Sequence, residues 1–277
     1  MNTVINIIAV MGLVGLFFGL VLAFANKKLA MEMNPLIHKV EDILPKGQCG
    51  SCGYAGCQAY AEAVVLNDDV PVNLCIPGKK AVADKVAELT GKVAAEVEAR
   101  VAHVKCTNPI SISGKKFIYT GVQDCIAANL LQSGPKECEY GCIGLGTCVK
   151  QCKFDALTLN EQGLPVVDKA KCTGCGSCEA VCPKAVIKMI PVDAHVAVSC
   201  NSHDKGAVAR KYCSTACIGC GLCKKQCAHE AIQMENNLAV VDPYVCMEKC
   251  SNRACLEKCP TKAIQACLAA SLKLKAV

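Results

Sequence analysis

The chain has no tryptophan and only five phenylalanines, and aromatic residues make up 4% of its 277 positions. This excludes a conventional aromatic core, since rings carry much of the buried area in an ordinary domain. No dense Lys/Arg block with interleaved aromatics occurs, and a formal charge of +6 is modest, so no nucleic-acid partner is expected. No G-x-G-x-x-G follows a strand-like run. The nearest approach, "GCIGLG" at 141–146, lies inside a cysteine run and reads as a loop rather than a dinucleotide site. The five histidines have no metal spacing; His195 and His203 lie near Cys200 but read as surface or packing residues. No catalytic acid or base is expected.

What the chain has instead is cysteine, 25 in all. That density usually marks a small secreted disulfide domain. The length argues against it, and so does the spacing: cysteines two or three apart on one turn bridge each other poorly and converge well on a metal site. The chain is expected to fold around inorganic centres, with ligation supplying part of the folding free energy.

Val4 to Ala25 is free of charge over 22 residues, enough for a helix to span a bilayer. Met1-Asn2-Thr3 carries no basic side chain and the apolar run is long, which favours an uncleaved anchor over a signal peptide ending at Ala23-Phe24-Ala25. Lys27 and Lys28 follow at once, so the positive-inside rule places the body in the cytoplasm, where thiols stay reduced. Gly12, Gly15, Gly19 and Ala23 share one stripe. That stripe is either a face for another helix or the ordinary glycine content of membrane helices. With no Asp, Glu, Lys, Arg or His in the span, the anchor offers no ion path.

From residue 138 the chain repeats. "CEYGCIGLGTCVKQC" (138–152) lies over "CSTACIGCGLCKKQC" (213–227), and "ALTLNEQGLPVVD" (156–168) over "AIQMENNLAVVD" (231–242) with one deletion. The second pair reads as two small β-hairpins. Each leads into another run, "CTGCGSCEAVCP" (172–183) and "CMEKCSNRACLEKCP" (246–260). Lys79 to Lys105 is rich in Ala, Val, Glu and Lys, with a break at Gly91, and reads as a helical spacer.

The runs 172–182 and 217–227 are C-x2-C-x2-C-x3-C. In ferredoxins three cysteines of such a run wrap one [4Fe–4S] cluster and the fourth reaches its partner. The spacing thus assigns Cys152, Cys172, Cys175 and Cys178 to one site and Cys138, Cys142, Cys148 and Cys182 to its neighbour. In the second copy Cys217, Cys220, Cys223 and Cys259 form one site, and Cys227, Cys246, Cys250 and Cys255 the other. The runs at 138–152 and 246–259 have longer loops, and Lys153 and Ala228 stand where Pro follows Cys182 and Cys259. Upstream, Cys49, Cys52, Cys57 and Cys75 form a further candidate site. Gly50, Gly53 and Gly56 leave room there for backbone near a cluster. Zinc is the alternative, though it prefers separated C-x2-C pairs.

An apolar anchor at Val4–Ala25, then "CGSCGYAGC" at 49–57 with Cys75, then four runs beginning at Cys138, Cys172, Cys217 and Cys246: this order resembles the B subunit of the Rnf complexes, membrane-bound ion-translocating oxidoreductases between ferredoxin and NAD. The chain resembles a long, double-module version. The resemblance implies electron relay from soluble ferredoxin through [4Fe–4S] clusters towards membrane and peripheral subunits, with NAD chemistry on another subunit. A polyferredoxin of another redox complex, such as a hydrogenase or dehydrogenase, and a zinc-rich scaffold or redox sensor are the rivals. Lys205, Arg210, Lys211, Lys224 and Lys225 surround the third run and either steer an acidic ferredoxin or form a solvated surface.

Cys213 remains over. It lies over Cys138, and Leu145 stands where the second copy has Cys220. On this alignment Cys138 replaces the missing ligand of the first copy and Cys213 is freed. Cys106, Cys125, Cys200 and Cys213 then form either a sixth site or a set of free buried thiols, for five or six clusters in all. Cys267, expected in a C-terminal helix, is the spare. The expected fold is α+β: a single transmembrane helix (1–26), a small [4Fe–4S] domain (27–76), the spacer (77–105), tandem bacterial-ferredoxin-like modules (106–192 and 193–264) and a tail (265–277).

Overall fold

The computed structural model describes residues 2–29, 34–96 and 98–267. Helix α1 (Asn2–Leu29) contains a stretch, Ile5–Lys28, of mean hydropathy 2.8 that is long and apolar enough to cross a membrane. Nothing lies within 4 Å of the positions a Cβ would take at Gly12, Gly15 or Gly19.

Three helices then pack on one another. Helix α2 (Pro35–Ile43) starts where the Asn34 side chain accepts the Leu36 N–H, with Pro35 at the first helical position. Helix α3 (Cys57–Leu66) and helix α4 (Lys79–Thr90) follow, joined through a tight turn at Ile76–Gly78. Ile37, Val40, Tyr60, Val64 and Val86 bury their side chains together. Lys92 Nζ donates to the carbonyls of Val64 (2.8 Å), Asn67 (2.6 Å) and Val70 (3.3 Å), satisfying acceptors that the end of α3 leaves open. Gly91 ends α4 in the left-handed conformation at φ 71°, as its composition predicts.

The rest of the body is one arrangement met twice. The first copy runs β1 (Arg100–Val104), α5 (Ile110–Ser113), α6 (Cys125–Asn129), α7 (Thr147–Gln151), β2 (Leu157–Leu159), β3 (Pro165–Val167), α8 (Ser177–Ala180) and β4 (Ile187–Pro191). The second runs β5 (Val196–Val198), α9 (Gly206–Tyr212), α10 (Leu222–Gln226), β6 (Ile232–Glu235), β7 (Leu238–Val241), α11 (Pro243–Lys249), α12 (Ala254–Glu257) and β8 (Ile264–Ala266). In each copy the inner strands form a hairpin, β2 with β3 and β6 with β7. The outer strands close the copy antiparallel, β1 on β4 with Val104 opposite Ile187, and β5 on β8 with Val198 opposite Ile264. A left-handed residue recurs three positions after Cys152, Cys182, Cys227 and Cys259: Asp155, Ala185, Glu230 and Lys262. Each time a strand begins two positions later.

Two expectations are corrected. The segment read as helical up to Lys105 is helical only to Thr90, and Arg100–Val104 is a strand. Its partner β4 lies far along the sequence, so tertiary pairing, not local propensity, decides its conformation. Cys267 directly follows β8, buried, its N–H on the His195 carbonyl at 3.1 Å; the tail helix falls on 268–277, outside the described residues.

Short helices in the cysteine loops start from a left-handed residue. That residue is Gly146, Gly176 or Gly221 for three of them, but Arg253 (φ 48°) for α12. A side chain there costs about 1 kcal/mol relative to glycine. Arg253→Gly is expected to stabilise the protein by about that amount; anaerobic thermal unfolding of the two proteins, showing a raised midpoint in the variant, checks it.

Candidate metal centres

Each cysteine loop is built from backbone outwards. In Cys172–Cys178 the left-handed residues are Gly174 (φ 75°) and Gly176 (80°); in Cys217–Cys223 they are Gly219 (67°) and Gly221 (68°). A Cβ at Gly174 would run into the Arg100 carbonyl, so a glycine is required there twice over, by conformation and by space. The loop Cys142–Cys148 has the same pattern at Gly144 (89°) and Gly146 (75°). It is therefore a cluster-type loop whose middle cysteine has become Leu145.

Cys152, Cys172, Cys175 and Cys178 line one pocket with Phe154, Leu157 and Met189. Cys217, Cys220, Cys223 and Cys259 are close enough for the other three to raise the pKa of Cys223 electrostatically, after burial, which is the larger cause. Cys246 stands in the same relation to Cys250, Cys255 and Cys227, and Cys75 to Cys57, Cys49 and Cys52. The structure brings these four sets together as the spacing groups them.

The other two sets are rearranged. The pocket of Cys142, Cys148 and Cys182 takes Cys125 as its fourth cysteine, not Cys138. Asp124 explains it. Its carboxylate caps α6 by accepting from Ile126 N (2.8 Å) and Ala127 N (3.0 Å), and also accepts from Thr147 Oγ1 (2.9 Å). The Cys125 N–H donates to that same Thr147 Oγ1 at 2.6 Å. Thr147 directly precedes Cys148, so this clamp holds Cys125 over the loop whose own middle ligand is missing.

Cys138 instead lines a pocket with Cys106, Cys200 and Cys213. The four come in equivalent pairs. Val104 and Val198 hold matching register positions, opposite Ile187 and Ile264, and Cys106 and Cys200 each lie two residues on. Cys138 and Cys213 are the pair that the repeat superimposes. Each copy thus supplies half of a site at their junction. Around it Asn108 Nδ2 donates to Cys213 Sγ at 3.2 Å, Thr107 and Thr215 share a hydrogen bond of 3.1 Å, and Tyr140 meets His203 edge-on at 5.4 Å. The matching "VKC" at 104–106 and "VSC" at 198–200 was the signal available for these two positions.

Burial pushes these thiols up, Cys75, Cys138, Cys148 and Cys223 to about 11 and Cys142, Cys178 and Cys246 to about 12. Unaided, they are not reactive nucleophiles. Four converging thiols, buried or half-buried except for Cys220, fit a cationic metal centre, which deprotonates its ligands outright. Among the described residues no set of Cys, His, Asp and Glu is arranged to hold a single metal ion. Cys220 is the one exposed cysteine of the 25.

Anchored iron–sulfur proteins form the class that this helix and these cysteine loops define. Residues 44–77 match the family described as "Putative Fe-S cluster", and residues 141–187 match the 4Fe-4S dicluster domain. The chain is 58% identical over 266 residues to the B subunit of the proton-translocating ferredoxin:NAD(+) oxidoreductase complex of Clostridium ljungdahlii, covering 96% of this chain and 93% of that one. It is 42% identical over 265 residues to the B subunit of the ion-translocating oxidoreductase complex of Methanosarcina acetivorans (95% and 98%). To the B subunit of the Na(+)-translocating complex of Acetobacterium woodii it is 39% identical over 265 residues (95% and 78%). The chain belongs to the family of Rnf-complex B subunits, the electron-transfer iron–sulfur components of ion-translocating ferredoxin:NAD(+) oxidoreductases. The zinc scaffold is thereby set aside.

Double substitutions test which cysteines share a centre. Cys142→Ser is expected to remove about four Fe per chain. Adding Cys125→Ser should remove no more, whereas adding Cys138→Ser should remove about four further Fe. Iron and acid-labile sulfide assays after anaerobic purification read the difference, and the opposite pattern would restore the grouping given by spacing.

Proposed function

We propose that this protein accepts electrons from reduced soluble ferredoxin on the cytoplasmic side and relays them towards the membrane subunits that complete NAD reduction. In this reading α1 is a single-pass anchor and residues 27–76 form the first iron–sulfur domain. The two copies after the spacer are tandem ferredoxin-like modules. The cysteine sets are Cys49, Cys52, Cys57 and Cys75; Cys152, Cys172, Cys175 and Cys178; Cys125, Cys142, Cys148 and Cys182; Cys106, Cys138, Cys200 and Cys213; Cys217, Cys220, Cys223 and Cys259; and Cys227, Cys246, Cys250 and Cys255. A [4Fe–4S] cluster in each would supply one-electron chemistry at a potential set by its surroundings.

The observation that carries this reading is the contiguity of the sets. Ser51, in the first loop, donates to the Cys175 carbonyl, and a Cβ at Gly47 would meet the Phe154 ring at 2.8 Å. Cys148 lies within electrostatic reach of Cys178. The Cys142 N–H donates to Cys106 Sγ at 3.4 Å. Cys217 lies within electrostatic reach of Cys200. Cys259 and Cys227 exchange between the last two sets. The junction set stands in the middle of this series, and without it the two modules would have no adjoining sites.

Beyond the junction Cys220 is exposed, and so are the basic residues that flank its run in the sequence, Lys205, Arg210, Lys211, Lys224 and Lys225. These charges suit an acidic partner and would accelerate its encounter, more so at low salt.

Six centres imply about twenty-four Fe and as many acid-labile sulfides per chain. A content of about twenty would remove the junction centre from the proposal. Charge reversal, Lys224→Glu with Lys225→Glu, is expected to slow ferredoxin-linked reduction by roughly tenfold at low salt and to matter little at high salt; unchanged stopped-flow rates at low salt would place ferredoxin elsewhere.

A further inference from the structure

One side chain at the junction is out of character with its surroundings. Lys136 is 1% exposed, and lysine is almost never buried without a partner. Its Nζ donates to the Asn108 carbonyl and lies 3.5 Å from Cys106 Sγ. No carboxylate stands among the residues of this pocket, which also holds Lys105. Room for the lysine is built in: a Cβ at Gly141 would meet its Cδ, Cε and Nζ at 3.1–3.2 Å. The same ammonium group acts electrostatically on Cys138 and Cys142. A buried cation facing only sulfur and carbonyl groups needs negative charge to offset its desolvation.

The bonds around it continue across the module boundary. Asn108, held through its carbonyl by Lys136, donates its amide to Cys213 Sγ, while Cys106 Sγ receives both Lys136 Nζ and the Cys142 N–H. Elsewhere among the described residues the hydrogen-bond partners of cysteine sulfur are neutral: the Ala156 N–H donates to Cys152, Ser51 Oγ accepts from Cys49, the Asn237 carbonyl accepts from Cys217, and the Ser177 and Thr261 hydroxyls lie beside Cys175 and Cys259.

We propose that Lys136 is a positioning residue that sets the reduction potential of the junction centre, holding it above that of centres with neutral donors only. The inference rests on the reading of Cys106, Cys138, Cys200 and Cys213 as a [4Fe–4S] site. Adding one electron makes such a centre more negative. A fixed positive charge in a buried position favours that state, as do hydrogen bonds to the ligand sulfurs. Electron balance requires nothing beyond the one-electron donors and acceptors of the relay itself.

The test uses the full-length protein purified anaerobically, with iron assay and EPR-monitored redox titration. Cys138→Ser comes first: the EPR signal it abolishes, with about four Fe, identifies the junction centre. If it removes neither, the site itself fails and the question of Lys136 lapses with it. Lys136→Gln keeps a donor and removes the charge. It is expected to retain its iron and to make that one signal about tenfold harder to reduce, a fall of about 59 mV for a one-electron couple. Lys136→Arg, with the charge kept, should titrate as the wild type. Full iron with an unchanged midpoint in Lys136→Gln overturns the proposal. If Lys136→Gln loses the centre, the arginine variant decides: a full complement with the wild-type midpoint upholds the role of charge, and loss there too reduces Lys136 to packing.

Discussion

The constraint on which this body depends is the convergence of four thiols at a time into pockets that a short chain segment cannot fill by itself. In the second module cysteines are part of the buried core: Cys200, Cys223, Cys246 and Cys255 sit among Val196, Val198, Ile232, Leu238 and Ile264. Strands of three to five residues and helices of a turn or two have little stability of their own. Several of the helices run directly into a cysteine of these sets, α7 into Cys152, α9 into Cys213, α10 into Cys227 and α11 into Cys250. The few large side chains then serve as packing between centres, as Phe154, Leu157 and Met189 do around one of them.

The second module reads as the regular copy and the first as the modified one. Leu145 breaks the loop of the first copy, and a longer connection between Cys106 and Cys138 carries the repair, delivering Cys125 through the Asp124–Thr147 clamp. The repair leaves Cys138 free to do what Cys213 does in the other copy. An irregular fourth cysteine in one pocket and the four cysteines gathered at the junction are thus two sides of one change.

Much of this was legible. The uncharged run at 4–25, the two hairpins and the end of a helix at Gly91 follow from composition and periodicity, and two loops announce themselves by spacing. The outer strands did not, because "RVAHV" is short and its partner is distant. The exchange of Cys125 and Cys138 was hidden for a different reason. The repeat paired Cys138 with Cys213 correctly, and equivalence should have argued for a common role. Yet the ligand that fills the place of Leu145 comes from a segment with no counterpart in the second copy, so no internal alignment could point to it. Lys136 was invisible as well, since only burial distinguishes it from the other lysines.

The junction has a mechanical consequence. Ferredoxin domains strung on a chain ordinarily move against one another like beads. Here each copy contributes two of the four cysteines of the junction pocket, with Thr107–Thr215 and Asn108–Cys213 bonded alongside. A metal centre bound by all four would turn this seam from a joint into a weld and would fix the spacing between the sites on its two sides.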